Sequence, residues 1–273
     1  MDKQIIVNCE RAHYLMQLSS YFSELTDLPG VSYSYTNLVT DTWYNQAYNI
    51  RELSSEHLAI SCEDILSVSK QYFADRKRET CFYLTPDSSD FERFLEDHGF
   101  ISFDEEAWMF FDFDRVDELF SKGNSDISIK EVNESSLDDF KEVYYRTLPG
   151  PEVKEYVQCV INGFISCPSF VEIKYYLAYV GDVAVGMLSL LSMGKYSGLY
   201  AVAVEKQHQN KGICRALATE AVKQCRTNGT EYLFLQTGNG EESQKVFERL
   251  GFSTQFVRKG YVSKAVADEM QHG

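Results

Sequence analysis

No C-x-x-C pair and no H-E-x-x-H pattern occurs in this sequence. The seven cysteines (Cys9, Cys62, Cys81, Cys159, Cys167, Cys214 and Cys225) are scattered and odd in number. That excludes the evenly paired framework of a small disulfide-stapled domain and gives zinc no ligand spacing to use. Most are expected to act as small core hydrophobes. The five histidines are equally dispersed, so no metal is expected. Long apolar runs are missing too: no window approaches the ~18–20 residues of a membrane span. The N-terminal MDKQIIVNCERAHY has neither the apolar core nor the small-residue cleavage site of a secretory leader. The expectation is a cytoplasmic protein with no membrane partner.

Positive charge is scarce and unevenly spread. Lys and Arg number 26 against 41 Asp and Glu, a formal net charge of −15. Residues 1–120 hold 9 basic and 23 acidic side chains, a net of −14, and the remainder is close to neutral at −1. Such a surface repels phosphate backbones, so nucleic acid is not an expected partner. An acidic half either attracts a cationic partner or serves solubility alone. Both readings stay open at this point.

What is present is a regular alternation of strand and helix patterns. The polar stretch Phe120–Ser128, with Gly123 and Asn124, reads as a linker and coincides with the change in charge. It divides the chain into domains at 1–120 and 121–273. After it, Asp126–Val132 reads as a strand. NESSLDDFKEVYYRTL reads as a helix capped at Ser135 or Ser136, and LPGP breaks it. Glu152–Ile165 is a candidate second helix. IKYYLAYVGDVAVGMLSLLSM reads as a hairpin turning at Gly181 and Asp182. Tyr196–Val204 is a further strand, and a helix is predicted from about Lys211 to Thr227. Glu231–Thr237 is a strand. GEESQKVFERL is a helix with Gly251 placed as its left-handed cap, and FSTQFVRKGYVS is expected to form two short strands.

The first part of the chain is similar to this order. Ser67–Thr85 and Glu220–Thr237 both read helix, turn, strand, and FERFLEDHGF parallels ESQKVFERLGF. Two structural repeats of one fold follow from this.

The stretch VEKQHQNKGICRAL carries the chemistry. A strand runs into a polar loop with one glycine, Gly212, and then directly into a helix. Main-chain N–H groups in such a loop and at the helix start have no intrahelical partner, and the helix dipole adds to them. The result is an anion site suited to a pyrophosphate. Gly212 lets an oxygen approach the backbone. Lys211 and Arg215 add positive charge.

From Tyr175 to Phe252 the sequence resembles the GNAT superfamily of acetyl-coenzyme A-dependent N-acetyltransferases. YYLAYVGDVAVGMLSLL is similar to its central hairpin, GLYAVAVEKQHQNKGIC to its strand and pyrophosphate loop, and SQKVFERLGF to its late helix. The resemblance implies two GNAT-like domains in tandem. Each is an α/β (α+β) unit with a mixed, mostly antiparallel twisted sheet flanked by helices. It also implies acetyl-coenzyme A as cosubstrate. Gln209, Asn210, Lys211, Gly212, Ile213 and Cys214 would hold its pyrophosphate through main-chain amides, with Arg215 as a further phosphate contact. Val202, Ala203 and Val204 would pair with the pantetheine arm as an added strand. The Val202 N–H would polarise the thioester carbonyl and stabilise the oxyanion. Ser243, Phe247 and Asn239 would line the far side of the coenzyme.

The sequence departs from the family pattern in three places. Cys214 stands where Gly or Ala is usual. Phe247 stands where many relatives have a tyrosine that protonates the leaving thiolate. The positions where relatives often carry a base are Tyr200 and Gly198. Tyr200 either orients a water or shapes the substrate pocket, Glu205 is expected to be solvated, and His208 lies on the phosphate side. In the first repeat Arg51–Ser61 replaces the glycine loop with a segment that has no glycine and two glutamates. That repeat is therefore expected not to bind the coenzyme. Two functional readings remain. One is direct acetyl transfer in a ternary complex to a primary amine: a small molecule, a cationic one, or a basic protein. The other is a catalytically weak coenzyme A-binding regulatory protein.

Overall fold

The computed structural model describes residues 2–18, 20–50, 54–55, 58–117, 126–148, 150 and 152–272. The linker residues Gly123 and Asn124, and most of the 51–57 segment, lie outside these described residues. The chain forms two compact units that are not contiguous in sequence. Unit 1 is Met1–Trp108, Gln236–Glu241 and Thr254–Gly273; unit 2 is Met109–Leu235 and Glu242–Ser253.

Unit 2 contains β8 (Ile127–Glu131), helices α4 (Leu137–Thr147) and α5 (Val153–Ile165), then β9 (Glu172–Val180), β10 (Val183–Met193) and β11 (Tyr196–Val204). Helix α6 (Ile213–Asn228), strand β12 (Tyr232–Gly238), helix α7 (Glu242–Glu248) and the start of β13 (Phe252–Ser263) follow. Its strands lie in the order β12-β11-β10-β9-β8. β8 to β11 are antiparallel neighbours, and β11 and β12 are parallel. Every residue of β10 from Ala184 to Ser192 is buried. A strand can bury successive residues only when both faces are covered, because its side chains alternate. Helices α4 and α6 both pack on it. The β9–β10 hairpin turns at Gly181 (φ 60°), where one positive φ at the first turn position suits glycine. Helix α6 buries Ile213, Leu217, Ala218, Ala221, Val222 and Cys225, a stripe at helical spacing. It ends at Gly229, left-handed at φ 71°, with Thr230 N donating to Cys225 O. Helix α7 is followed by Gly251 at φ 97°, in the left-handed role its position predicts.

From its first strand on, unit 1 follows a similar order, with an extra short hairpin. Helix α1 (Lys3–Met16) precedes β1 (Glu24–Leu28), β2 (Val31–Tyr35) and β3 (Gln46–Tyr48), with a small hairpin of β4 (Ser54–Ser55) and β5 (Leu58–Ala59). Then come α2 (Cys62–Asp75), β6 (Cys81–Leu84), α3 (Ser89–Asp97) and β7 (Phe100–Phe111). β3 and β6 are a parallel pair, as β11 and β12 are. The C-terminal segment differs from expectation. FSTQFVRKGYVS is one twelve-residue strand, β13, not two short ones, and helix α8 (Lys264–His272) follows it. Its Lys259–Val262 pair antiparallel with Cys81–Leu84, so the end of the chain completes the sheet of unit 1.

Arg258 on this strand is 1 % exposed and sits between two carboxylates. Its Nη1 donates to Glu10 Oε1 at 3.2 Å and to Tyr14 Oη at 2.7 Å, and its Nη2 lies 2.7 Å from Glu106 Oε2. Tyr14 in turn donates to Gln46 Oε1 at 2.6 Å. A guanidinium placed so deeply needs such partners, since an unpaired buried charge costs several kcal/mol. Among the described residues, no helix is long and apolar enough to cross a membrane.

His13, packed edge-on against Tyr14 and Trp108, has its pKa pushed well below 6.5, first by burial and then by Arg258. It stays neutral in the native state while the unfolded chain takes up the proton, so stability falls as pH drops below about 6.5. His13→Phe is expected to remove about 1 kcal/mol of the stability lost between pH 7.0 and 5.5. Urea unfolding at the two pH values measures this.

Candidate functional site

In unit 2 the parallel ladder between β11 and β12 runs only from Tyr196↔Tyr232 to Gly198↔Phe234. Beyond it the two strands part, while β11 stays paired with β10 as far as Val204. Within that stretch the register shifts: Met187 faces Ala203 but Ser189 faces Tyr200. Two residues of β11, Ala201 and Val202, thus stand opposite one of β10, which is a β-bulge. Ala201 takes φ 48°, a left-handed conformation that costs a residue with a Cβ roughly 1–2 kcal/mol. Strain of this kind is held where surrounding structure enforces it, commonly at functional sites. Val202, Ala203 and Val204 are half-buried and extend past the end of the β12 ladder. Their outer edge is therefore available for an extended ligand.

The loop after β11 begins with a short 3-10 turn, Lys206–His208. Gln209 and Asn210 are exposed, and Asn210 has φ 61°. Gln209 Nε2 donates to Val204 O at 3.2 Å and so ties the loop back to the strand end. Gly212 has φ 86° and is the N-cap of α6, which starts at Ile213 and not at Lys211. A Cβ built at Gly212 would meet nothing within 4 Å, so the space above its backbone is open. The first helical bond runs from Ala216 N to Gly212 O. The N–H groups of Ile213, Cys214 and Arg215 therefore stand ahead of the ladder, as at every helix start. Among the described residues no carboxylate caps this end. Lys211 is exposed and Arg215 half-exposed beside it.

The loop is held at this height by close packing. The side chain of Ile213 is buried, and a Cβ at Gly186 would lie 3.0 Å from Ile213 Cγ2 and 3.2 Å from Ala203 O. Gly186 thus lets the helix start approach the strand. Glu205 is not solvated as expected: it is 6 % exposed. Its Oε1 lies 3.0 Å from Arg146 Nε on α4, and its Oε2 accepts from Gln207 Nε2 at 3.1 Å. Arg146 Nε donates to Glu142 O, so the contact with Glu205 Oε1 is an ion pair without hydrogen-bond alignment. Nothing local in the sequence marks this pair, whose members lie far apart in the chain. His208 N donates to Glu205 O at 2.8 Å, and its Nδ1 is buried without a hydrogen-bond partner among the described residues.

The Tyr200 ring lies across Gly198. A Cβ at Gly198 would fall 2.5 Å from Tyr200 Oη, so glycine is required there for the ring to take this position. Phe247 is buried, packed edge-on against Phe252 at 5.8 Å, and Ser243 is half-buried one turn earlier on α7. Asn239 belongs to unit 1, where its Nδ2 donates to Glu105 Oε2 at 2.9 Å and its N to Glu105 O. The structure thus places Val202–Val204 and Gln209–Arg215 in unit 2, joined by the Gln209–Val204 hydrogen bond. Among the described residues, no group of three or more His, Cys, Asp and Glu could hold a metal ion.

Residues 137–252 match the acetyltransferase (GNAT) family model. No curated protein matches the chain. Solved structures resemble it over most of its length. One is a functionally unknown conserved protein from Staphylococcus epidermidis, 14% identical, covering 88% of this chain and 92% of that one with a TM-score of 0.67. Another is a GCN5-related N-acetyltransferase from Kribbella flavida, 11% identical, covering 95% of both chains at 0.66. A tandem GNAT protein from the clavulanic acid biosynthesis pathway is 10% identical and covers 85% of this chain and 78% of that one at 0.62. At these identities the likeness is one of fold: two GNAT-like domains in tandem.

Burial pushes the Cys214 thiol up to about 11, with Arg215 pulling weakly the other way. Its thiolate is scarce near neutral pH, so it is a poor nucleophile. Exposed Cys167 is expected to react with iodoacetamide at pH 8 well before Cys214, read by mass spectrometry of tryptic peptides.

Proposed function

From the GNAT-family domain at residues 137–252, we propose that the protein is an acetyl-coenzyme A-dependent N-acetyltransferase acting on a primary amine. Residues 121–273 are taken as the coenzyme-binding domain and residues 1–120 as the copy without a coenzyme loop. The observation that carries this reading is the open, left-handed Gly212 at an uncapped helix start, directly after a strand edge that β12 leaves unpaired. An anion of pyrophosphate size fits such an arch of amides, and the helix dipole favours it.

On this reading the roles are assigned as follows. Main-chain amides from Gln209 to Cys214 hold the pyrophosphate, and Lys211 and Arg215 screen its charge. Val202, Ala203 and Val204 take the pantetheine arm as an added strand. The Val202 N–H, next to the bulge at Ala201, would be the electrophilic donor to the thioester carbonyl. Ser243 and Phe247 line the coenzyme from α7, with Asn239 as a further contact. Acetyl-coenzyme A, when bound, supplies the activated acetyl group.

The amine must be neutral to attack, and a lysine-type amine has a pKa near ~10.4. Neither Gly198 nor Tyr200 is a strong base, so Tyr200 acts by positioning a water or the acceptor. Phe247 has no proton to give the departing thiolate. That one observation favours a second reading, a coenzyme A-binding regulatory protein with little turnover. The acidity of residues 1–120 favours a cationic acceptor, whether a small amine or a basic protein, and strong inhibition by added salt would support it.

Thiol release from acetyl-coenzyme A in the presence of a panel of amines and lysine-bearing peptides tests the proposal. Release that depends on an amine is expected. Tight coenzyme A binding without release, whatever amine is offered, supports the second reading. Gly212→Glu is expected to raise KM for acetyl-coenzyme A at least about tenfold, with kcat changed far less, the pattern of lost binding.

A further inference from the structure

Strand β10 does not run evenly along β9. Ala184 faces Tyr179 but Gly186 faces Ala178, so Val185 is an extra residue, a β-bulge. A bulge takes main-chain groups out of the ladder, and buried ones need partners elsewhere. Two carbonyls here have partners outside the sheet ladder. Val185 O accepts from Glu205 N at 2.9 Å, and Ala184 O accepts from Arg146 Nη2 at 3.1 Å. The next residue, Gly186, is where a Cβ would lie 3.0 Å from Ile213 Cγ2. The bulge thus meets the last turn of α4, the first residue of the loop after β11 and, one position on, the start of α6.

Arg146 joins these pieces. Its Nε donates to Glu142 O at 3.2 Å, which fixes the side chain against its own helix, and Nη2 reaches the bulge. The same Nε lies 3.0 Å from Glu205 Oε1, which is buried and has no aligned hydrogen bond among the described residues. A buried carboxylate deprived of its cation is costly, and the nearest relief is a move toward water. Glu205 is badly placed to move alone. Its O accepts from His208 N at 2.8 Å and its Oε2 from Gln207 Nε2 at 3.1 Å. Gln209 is tied in turn to Lys206 O and Val204 O. A shift of Glu205 would therefore carry the segment up to Gln209, where the amides assigned to the pyrophosphate begin. Charge acts in the same direction, because a carboxylate without its counter-ion at the root of an anion-binding loop opposes a diphosphate.

We propose that Arg146 is a positioning residue for the coenzyme loop: it ties the Glu205 carboxylate to the bulge of β10 and so holds the amides of Gln209–Cys214 in place over Gly186. Arg146 acts through Glu205 and touches no coenzyme. The inference rests on the coenzyme site proposed above, and it makes α4 the element that secures that loop. A lysine would keep the charge and lose the planar fork that serves Ala184 O and Glu205 together.

Two measurements on the full chain test this: amide hydrogen exchange of the ligand-free protein, and calorimetric titration with coenzyme A. Arg146→Met is expected to speed exchange of peptides covering residues 205–212 about tenfold and to weaken coenzyme A binding about tenfold. Arg146→Lys is expected to weaken binding about threefold. Glu205→Gln is expected to weaken it at most about threefold, because the amide leaves no buried charge. Combining Arg146→Met with Glu205→Gln is expected to recover most of the loss, to within about threefold of the natural protein. A loss in Arg146→Met that Glu205→Gln does not relieve would overturn the proposal, since Arg146 would then act on the coenzyme directly or through the fold at large. Unchanged exchange at 205–212 in the folded Arg146 variants would overturn it as well. Failure of the natural protein to bind coenzyme A would instead contradict the proposed function, and the exchange measurement would still decide whether Arg146 holds the loop.

Discussion

The structure depends on a parallel strand pair that is allowed to part. In unit 2, β11 and β12 are laddered for three residues and then separate. Main-chain groups left unpaired inside a protein are costly, so an open strand edge persists only where solvent or a ligand completes it. The bulge at Ala201, the close approach of Ile213 to Gly186 and the Gln209–Val204 bond all fix the geometry of that opening. Unit 1 repeats the device between β3 and β6, with one laddered pair, Ala47↔Phe82. One topology thus leaves a parted strand pair in each unit. In unit 2 it is followed by the helix start at Gly212; in unit 1 a cavity nearby is lined by Asp2, Glu10, Asp87 and Asp90.

Charge follows the same division. The excess of acid in residues 1–120 is not confined to a solvated surface. Glu10 is interior and Glu106 largely so, both organised around one arginine brought in from residue 258. A buried arrangement of this kind is weak evidence for stability, because desolvation opposes the pairing. What it does specify is the placement of β13, since Arg258 on that strand is the cation paired with both carboxylates. The end of the chain is therefore held in unit 1 by electrostatics as well as by its ladder with β6.

Features set by a few consecutive residues were legible in the sequence. Gly181 marked the hairpin, Gly251 the end of α7, and the strand–loop–helix around Gly212 the left-handed helix start, because φ preferences and helix starts are local properties. The pairing of FERFLEDHGF with ESQKVFERLGF revealed the repeat for the same reason. Features set by distant contacts were not legible. Arg258 and Glu10 are 248 positions apart. Glu205 reads as an exposed loop residue until Arg146 of α4 is seen against it. Ala201 carries no sign of its left-handed backbone, since alanine is not the residue that such a conformation favours. FSTQFVRKGYVS reads as two strands because Gly260 interrupts its pattern. In the structure that glycine lies in an unbroken strand, where a Cβ would fall 2.8 Å from the Phe103 ring.

On the proposed function, the main chain of Val202–Val204 and Gln209–Arg215 receives a coenzyme A thioester. Amide hydrogen exchange of the full protein, with and without saturating coenzyme A, measures this directly. Peptides covering residues 199–217 should exchange more slowly in its presence, while those covering 46–50 and 85–91 should not change. Coenzyme A binding with no protection at 199–217 would contradict the account.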